Sequence, residues 1–119
     1  MSSAVITING NVGRDPVIRF TKSGKAWTKF SVAVTERVKE GDEWIDGTTT
    51  WFEVSCWNRL AEDTAETVKK GSRVVLSGRF KTEKWTGEDG VERTDAAVTA
   101  DWVGIVPKVE AKAKEESWV

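Results

Sequence analysis

Tryptophan is the residue type with the clearest chemical potential in this chain of 119 residues, which has seven Trp and no Tyr. A Trp ring offers a large flat face that stacks on bases, sugars or other protein groups. The chain has no His and only one Cys, Cys56. These counts exclude His-dependent triads, His-ligated metals and a disulfide within the chain. We therefore expect no catalytic residue, metal or cofactor, and predict that the protein is not an enzyme.

Alternation along residues 49–57 indicates where two of these rings point. Phe52, Val54 and Cys56 occupy one side of the predicted strand, which is the side that faces the core. Trp51 and Trp57 then share the opposite side and are expected to be exposed. Cys56, on the core side, is interpreted as a small buried apolar residue rather than a nucleophile.

The same parity places two further Trp beside basic residues. Trp85 falls on the side of its strand that carries Arg79 and Lys81, and Trp27 shares a side with Lys29. Exposed rings beside Lys and Arg are typical of a stacking platform for unpaired bases, where each stacked base contributes roughly 1–3 kcal/mol. Any single Trp can instead pack in a subunit interface, where this residue type is enriched.

Charge and hydropathy limit the remaining classes of protein. The 18 basic and 19 acidic residues give a net charge of −1, so a site for a polyanion must be a local patch. The apolar runs are far shorter than the ~20 residues of a membrane span, and the N-terminus lacks a secretory signal pattern. We expect a cytoplasmic protein.

Short apolar alternations, separated by Gly, Asp and Ser, predict strands near residues 4–9, 17–21, 27–35, 49–57, 73–85 and 91–103. A period of about 3.6 predicts one helix over residues 58–70, capped by Asn58 and followed by Gly71 in a left-handed conformation. The polar residues 36–48 predict a long protruding hairpin or loop.

When the short strand near residues 17–21 is counted together with the strand that follows it, the predicted order is three strands, one helix and two strands. This order predicts an all-β fold, a five-stranded OB-type barrel with one helix between strands 3 and 4. Residues 1–107 are expected to form this domain, and residues 108–119 a short mobile tail. Trp102 shares the parity of Val98 and Ala100, so a core position and an interface both remain open for it.

Several motifs, in order and at the right spacing, resemble the bacterial and phage single-stranded DNA-binding protein family over about residues 4–106. They are Gly10-Asn11-Val12-Gly13-Arg14-Asp15-Pro16, Ser23-Gly24-Lys25, Phe30-Ser31-Val32-Ala33-Val34, Leu60-Ala61-Glu62, Lys70-Gly71-Ser72, Ser77-Gly78-Arg79, Lys84-Trp85 and Asp89-Gly90. The resemblance implies an OB-fold protomer, assembled as a homotetramer (a dimer of dimers), that binds single-stranded DNA with little sequence preference. It also implies a role in DNA replication, recombination and repair, in a bacterial nucleoid or a phage-infected cell.

The resemblance also assigns site residues. The family's base-stacking positions match Trp51, Trp57 and Trp85, and its phosphate-contacting positions match Arg19, Arg59, Lys70, Lys81 and Lys84. Where many members carry an aromatic residue early in the long hairpin, this chain has Val38, and we expect Trp44 to face Val38 and supply the ring from the opposite arm. Members commonly end in a Gly/Pro-rich linker and an acidic tip with Pro-Phe. The present chain ends without either, so we do not expect it to recruit replication and repair proteins through a tail.

Two other classes of function remain as alternatives. OB-type barrels also bind oligosaccharides, so the Trp residues could belong to a carbohydrate-binding module. They could also be assembly interfaces of a structural subunit. Neutral sugars favour Asn, Gln and Asp beside the rings, whereas this chain places Lys29, Arg79, Lys81 and Lys84 there, which favours a phosphate-bearing ligand.

Overall fold

The computed structural model describes residues 2–107, which form six strands and one helix. The elements are β1 (Ala4–Val12), β2 (Arg19–Phe20), β3 (Ala26–Glu40), β4 (Glu43–Trp57), α1 (Asn58–Thr67), β5 (Arg73–Thr86) and β6 (Glu92–Val106). The predicted order is confirmed, and the expected strand at 17–21 is reduced to the two residues of β2. The predicted tail, residues 108–119, lies outside the described residues.

The strands form one sheet in the order β1-β5-β6-β4-β3-β2. All pairs are antiparallel except β4 with β6, which pair in parallel. β1 also pairs with β3, through Asn11 with Ala33 and Val12 with Val32, and this second pairing closes the sheet into a ring. The helix α1 packs against β3, β4 and β6. The predicted all-β, OB-type class is confirmed.

Inside the ring, the even-numbered side chains of three strands form the core, as their alternation predicted. Phe30, Val54 and Leu76 are completely buried. Phe52 meets Phe80 in an edge-to-face contact with ring centroids 6.5 Å apart. Full burial of such side chains contributes about 1.5–3 kcal/mol each, so this filled interior fixes which strand faces remain outside.

The helix begins at Asn58, as predicted, but its cap and its end differ from the prediction. It ends at Thr67 rather than at residue 70, because Val68 adopts an extended backbone and inserts its side chain into the core. The expected cap is also wrong: the N-cap residue is Trp57, and it makes no side-chain capping hydrogen bond. Asn58 instead has a φ of 59°, in the left-handed region that Asn tolerates. Gly71 has the expected positive φ, but it lies beyond the end of the helix.

The predicted protruding hairpin is a two-stranded arm made by the outer halves of β3 and β4. It turns at Gly41, whose φ is 64°. The register shifts between Thr35 and Arg37, so that Glu36 faces the two residues Gly47 and Thr48. This extra residue in β4 is a bulge that reverses the parity of the strand. As a result, Trp44 and Trp51 share a face of the β3–β4 pair although one number is even and the other odd.

A second bulge decides the position of Trp102. Ser77 pairs with Trp102 and Gly78 with Ala100, so Asp101 is the extra residue. A Cβ atom at Gly78 would collide with the carbonyl oxygen of Thr99, so only glycine allows this close approach. The bulge turns Trp102 to the outer face, where 48% of it is exposed, and the core position considered from its parity is wrong.

Candidate nucleic-acid interface

The outer face of the β3–β4 pair brings three Trp together, and we call it the Trp face. Trp27 lies directly opposite Trp57, and Ala33 lies opposite Trp51. Directly opposed residues of an antiparallel pair project from the same side, so all three rings share one surface. Trp51 is 56% exposed and Trp57 is 41% exposed, as the parity of their strand predicted.

Two of these rings are in contact with each other. Trp27 and Trp57 are stacked, with ring centroids 6.2 Å apart and planes inclined by 29°. Trp27 is half-buried, whereas Trp57 is exposed. Arg19 of β2 lies opposite Trp27 and therefore projects from the same side. The pair thus forms a two-ring surface with a guanidinium at its edge.

Trp51 is positioned by a backbone rather than by another ring. A Cβ atom on Gly13 would lie 2.7 Å from Cζ3 of Trp51, so the ring packs directly over the glycine. The Gly13 amide donates a hydrogen bond to the Ser31 carbonyl, which is 2.8 Å away, and this bond holds the backbone in place. Because any side chain at this position would displace the ring, Gly13 is a supporting residue of the site.

A row of basic side chains runs over the outer surface of the ring, from β3 on the Trp face to β5. Lys29 lies opposite Ser55, Ser55 pairs with Thr99, and Thr99 pairs with Arg79. Within residues 2–107, neither Lys29 nor Arg79 forms an ion pair. Lys81 occupies the next outward position of β5, with its Nζ 3.5 Å from Glu83. This row can therefore offer cations to a ligand on the outer face.

One carboxylate lies within the Trp face, between the two exposed rings. Glu53 shares the outer side of β4 with Trp51 and Trp57. Arg14 donates a hydrogen bond to its Oε2 at 3.0 Å. The guanidinium offsets the one negative charge that would repel a polyanion from this part of the surface.

Trp85 lies on the other hairpin, formed by β5 and β6. It is 46% exposed, and the guanidinium carbon of Arg93, its cross-strand neighbour, lies 5.6 Å from the ring centroid. Asp89 accepts a hydrogen bond of 2.8 Å from Arg93 and holds it in that position. Trp85 is on the same side of β5 as Lys81, so this ring extends the outer basic row rather than the Trp face itself.

The remaining predicted residues are more dispersed. Lys84 lies on the opposite side of β5 from Trp85, with its Nζ 3.8 Å from Glu92. Arg59 belongs to α1 and pairs with Asp63 at 3.3 Å. Lys70 follows the helix and donates its backbone N–H to Asp15.

Trp44 lies on the arm, and its predicted partner is wrong. It pairs with Lys39, whereas Val38 pairs with Ile45 on the other side. The side that carries Trp44 and Lys39 also carries Arg37, which forms an ion pair of 3.5 Å with Asp46. The bulge thus brings a fourth Trp and two cations to the side that continues from the Trp face.

Gly13, Arg14, Lys39 and Arg93 were not predicted as parts of this surface. The position of Arg93 could have been inferred from the turn at residues 87–90, since pairing outward from that turn places it beside Trp85. The roles of Gly13 and Arg14 depend on contacts between residues far apart in the chain, for which the sequence carries no local signal.

The described residues contain no group of three or more Cys, Asp or Glu side chains arranged to hold a metal ion. Between residues 2 and 107, no helix is long and apolar enough to cross a membrane. Burial raises the pKa of the Cys56 thiol to about 11, although a hydrogen bond with Thr64 acts in the opposite direction. The thiol is therefore protonated at neutral pH, in line with the buried apolar role predicted for it.

Comparison with known proteins decides the family. The model of the single-strand binding protein family matches residues 4–106. The chain belongs to this family. The relatives carry names of binding proteins, in agreement with the prediction that the chain is not an enzyme.

Two curated members of the single-strand binding protein family illustrate the similarity. The single-stranded DNA-binding protein of Paenarthrobacter aurescens is 40% identical over 101 residues, which cover 83% of this chain and 59% of the relative. Single-stranded DNA-binding protein 2 of Streptomyces coelicolor is 41% identical over 102 residues, covering 84% of this chain and 51% of the relative. The chain thus spans between half and three fifths of the length of these relatives.

The fold is similar as well. The crystal structure of the small single-stranded DNA-binding protein from Streptomyces coelicolor superimposes with a TM-score of 0.83 and is 33% identical in sequence. The match covers 89% of this chain and 96% of that one.

Proposed function

We propose that this protein binds single-stranded DNA with little sequence preference, by stacking bases on Trp and contacting phosphates with Lys and Arg. The observation that carries the proposal is the Trp face, where Trp51 and Trp57 are exposed on one side of the β3–β4 pair and Lys29 lies between them. Membership of the single-strand binding protein family and the names of its relatives support the choice of ligand.

Stacking explains why sequence preference would be weak. Every base presents a similar flat face to an indole ring, so a surface of exposed rings accepts any base. We propose Trp51, Trp57 and Trp85 as the stacking residues and Trp44 as a further one on the arm. Because one face of Trp27 is already covered by Trp57, we propose that Trp27 mainly supports the neighbouring ring.

The residues proposed to contact phosphate fall into two groups, according to whether they already form an ion pair with a carboxylate. In the first group, no ion pair with another described residue has to be broken when phosphate binds; these residues are Arg19, Lys29, Lys70 and Arg79. Arg59, Lys81 and Lys84 have exposed carboxylate partners, and such surface pairs contribute only about 0–1 kcal/mol. DNA phosphates can therefore replace these carboxylates at small cost.

We also propose that the protein assembles as a homotetramer and acts in DNA replication, recombination and repair, in a bacterial nucleoid or a phage-infected cell. Exposed apolar side chains on β1 and β6 support self-association, because Val5 and Trp102 lie on the outside of the ring. Covering such side chains in a symmetric interface removes them from water.

Titration of intrinsic Trp fluorescence with oligo(dT) tests the proposal. We expect quenching that saturates, weaker binding at high salt, and no response to a neutral oligosaccharide. Phe20→Ala is a matched control because Phe20 is an exposed aromatic residue outside the Trp face, and its affinity for oligo(dT) should equal that of the wild type. Absence of a response to oligo(dT), or a response only to the oligosaccharide, would overturn the proposal.

A further inference from the structure

A second surface of the molecule is apolar and lies between β2 and α1. It is a groove of about 360 Å³ lined by Ile18, Phe20 and Ala65, with Glu62 and Glu66 at its rim. We call it the helix groove.

The backbone of β2 explains why an aromatic side chain is exposed here. Phe20 pairs with Ala26, whose side chain is buried, so both project toward the side of the sheet covered by α1. Phe20 lies at the edge of the sheet in a strand of only two residues, and 63% of it remains exposed. Arg19 projects to the opposite side, next to Trp27. A ligand of the helix groove and a ligand of the Trp face would therefore approach from different sides.

The rim of the helix groove is negative. Glu62, Ala65 and Glu66 are three or four positions apart and therefore lie on one side of α1. The neighbouring Asp63 is paired with Arg59, whereas no described residue forms an ion pair with Glu62 or Glu66. An acidic rim repels nucleic acid and attracts a cationic partner.

We propose that the helix groove binds a basic peptide segment of a partner protein, which inserts a large apolar side chain against Phe20 and Ala65 and places Lys or Arg beside Glu62 and Glu66. Recognition of this kind combines an apolar anchor in a pocket with charge complementarity at the rim. The site lies apart from the Trp face, so one molecule can hold DNA and this partner at the same time. Binding of the peptide segment does not depend on the proposed function, whereas its simultaneous binding with DNA does.

A random peptide display library, selected on the full chain in the absence of DNA, is the test. We expect the enriched peptides to combine Lys or Arg with a large apolar residue. For a representative synthetic peptide, Glu62→Lys/Glu66→Lys and Phe20→Ser should each reduce affinity by about tenfold, in line with the loss of rim charges or of a central aromatic contact. Asp42→Lys, a charge reversal at the tip of the arm, is the control and should leave peptide affinity unchanged.

Thermal unfolding establishes that each variant is folded, and the unfolding temperature should not change substantially. Three results would overturn the proposal: no enriched peptide, enriched peptides without basic residues, or affinities that the groove variants do not alter. Displacement of the peptide by oligo(dT) would place it on the Trp face instead. A mass in light scattering that falls in Phe20→Ser would show that a second copy of the chain occupies the groove, which also contradicts the proposal.

Discussion

The contact between Trp27 and Trp57 allows the contribution of each ring to the proposed DNA binding to be tested. In Trp57→Ala, a base loses its stacking partner. The binding free energy should weaken by about 1–3 kcal/mol, which corresponds to roughly a 5- to 150-fold lower affinity for oligo(dT). In Trp27→Ala, Trp57 remains but loses the ring against which it is stacked, at 6.2 Å between centroids. An aromatic pair is worth about 0.5–1.5 kcal/mol, so we expect the affinity to fall roughly 2- to 13-fold.

A double-mutant cycle distinguishes support from direct contact. If Trp27 acts through Trp57, then adding Trp27→Ala to Trp57→Ala should change the affinity very little, and the two effects will not be additive. The assay is fluorescence anisotropy with labelled oligo(dT) at fixed salt, with thermal unfolding of each variant to show that it is folded.

Two outcomes would refute this reasoning. Additive losses would show that Trp27 stacks on a base in its own right. An unchanged affinity in folded Trp57→Ala would remove Trp57 from the site.

Four further predictions concern charge, the buried thiol, the tail and assembly. Lys29→Glu should weaken binding and make the dependence of log K on log[salt] shallower by about one unit or more, whereas Lys22→Glu should not; equal slopes would contradict the phosphate role. Cys56 should react slowly with a disulfide reagent below pH 9, and rapid reaction of the native protein would contradict its burial. The free energy of unfolding should fall as the pH rises from 9 to 11, because the thiol ionises at a lower pH in the unfolded chain than in the folded protein. Deletion of residues 108–119, which carry three Lys and three Glu, should leave oligo(dT) affinity unchanged, whereas tighter binding would indicate competition by the tail and lost binding a misplaced domain boundary. Light scattering should give a tetramer, and a mass of 13.2 kDa would contradict it.

Alternation along the chain was sufficient to predict most of the fold. The strand sides with Phe30, Val54 and Leu76 had to face inward because no other arrangement buries them, and this placed Trp51 and Trp57 outside. Odd and even residue numbers indicate the two sides of a strand only while each residue of the strand pairs with one residue of the neighbouring strand. It therefore failed at the two bulges, which moved Trp44 and Trp102 to sides that their numbers did not indicate.

The supporting contacts of the site required the three-dimensional structure. Gly13 and Trp51 are far apart in sequence, as are Arg14 and Glu53, and each pair meets only because β1 crosses to β3 and closes the ring. The end of the helix depended on the core as well. Residues 68–70 continue a helical pattern in sequence, but burial of Val68 in an extended conformation ends the helix earlier.

The arm has a thermodynamic consequence for binding. Its residues from Glu36 to Asp46 are all exposed, so its two strands are held mainly by their mutual hydrogen bonds. A two-stranded hairpin without an apolar face packed on other protein is only marginally stable in water. We expect its amides to exchange with solvent faster than those of the ring, and a ligand that contacts Trp44 to slow this exchange. Part of the enthalpy released on binding would then be offset by the conformational entropy lost as the arm becomes ordered. We therefore expect the affinity for a long DNA strand, which reaches the arm, to decrease steeply with temperature. The affinity for a short strand confined to Trp51 and Trp57 should decrease less.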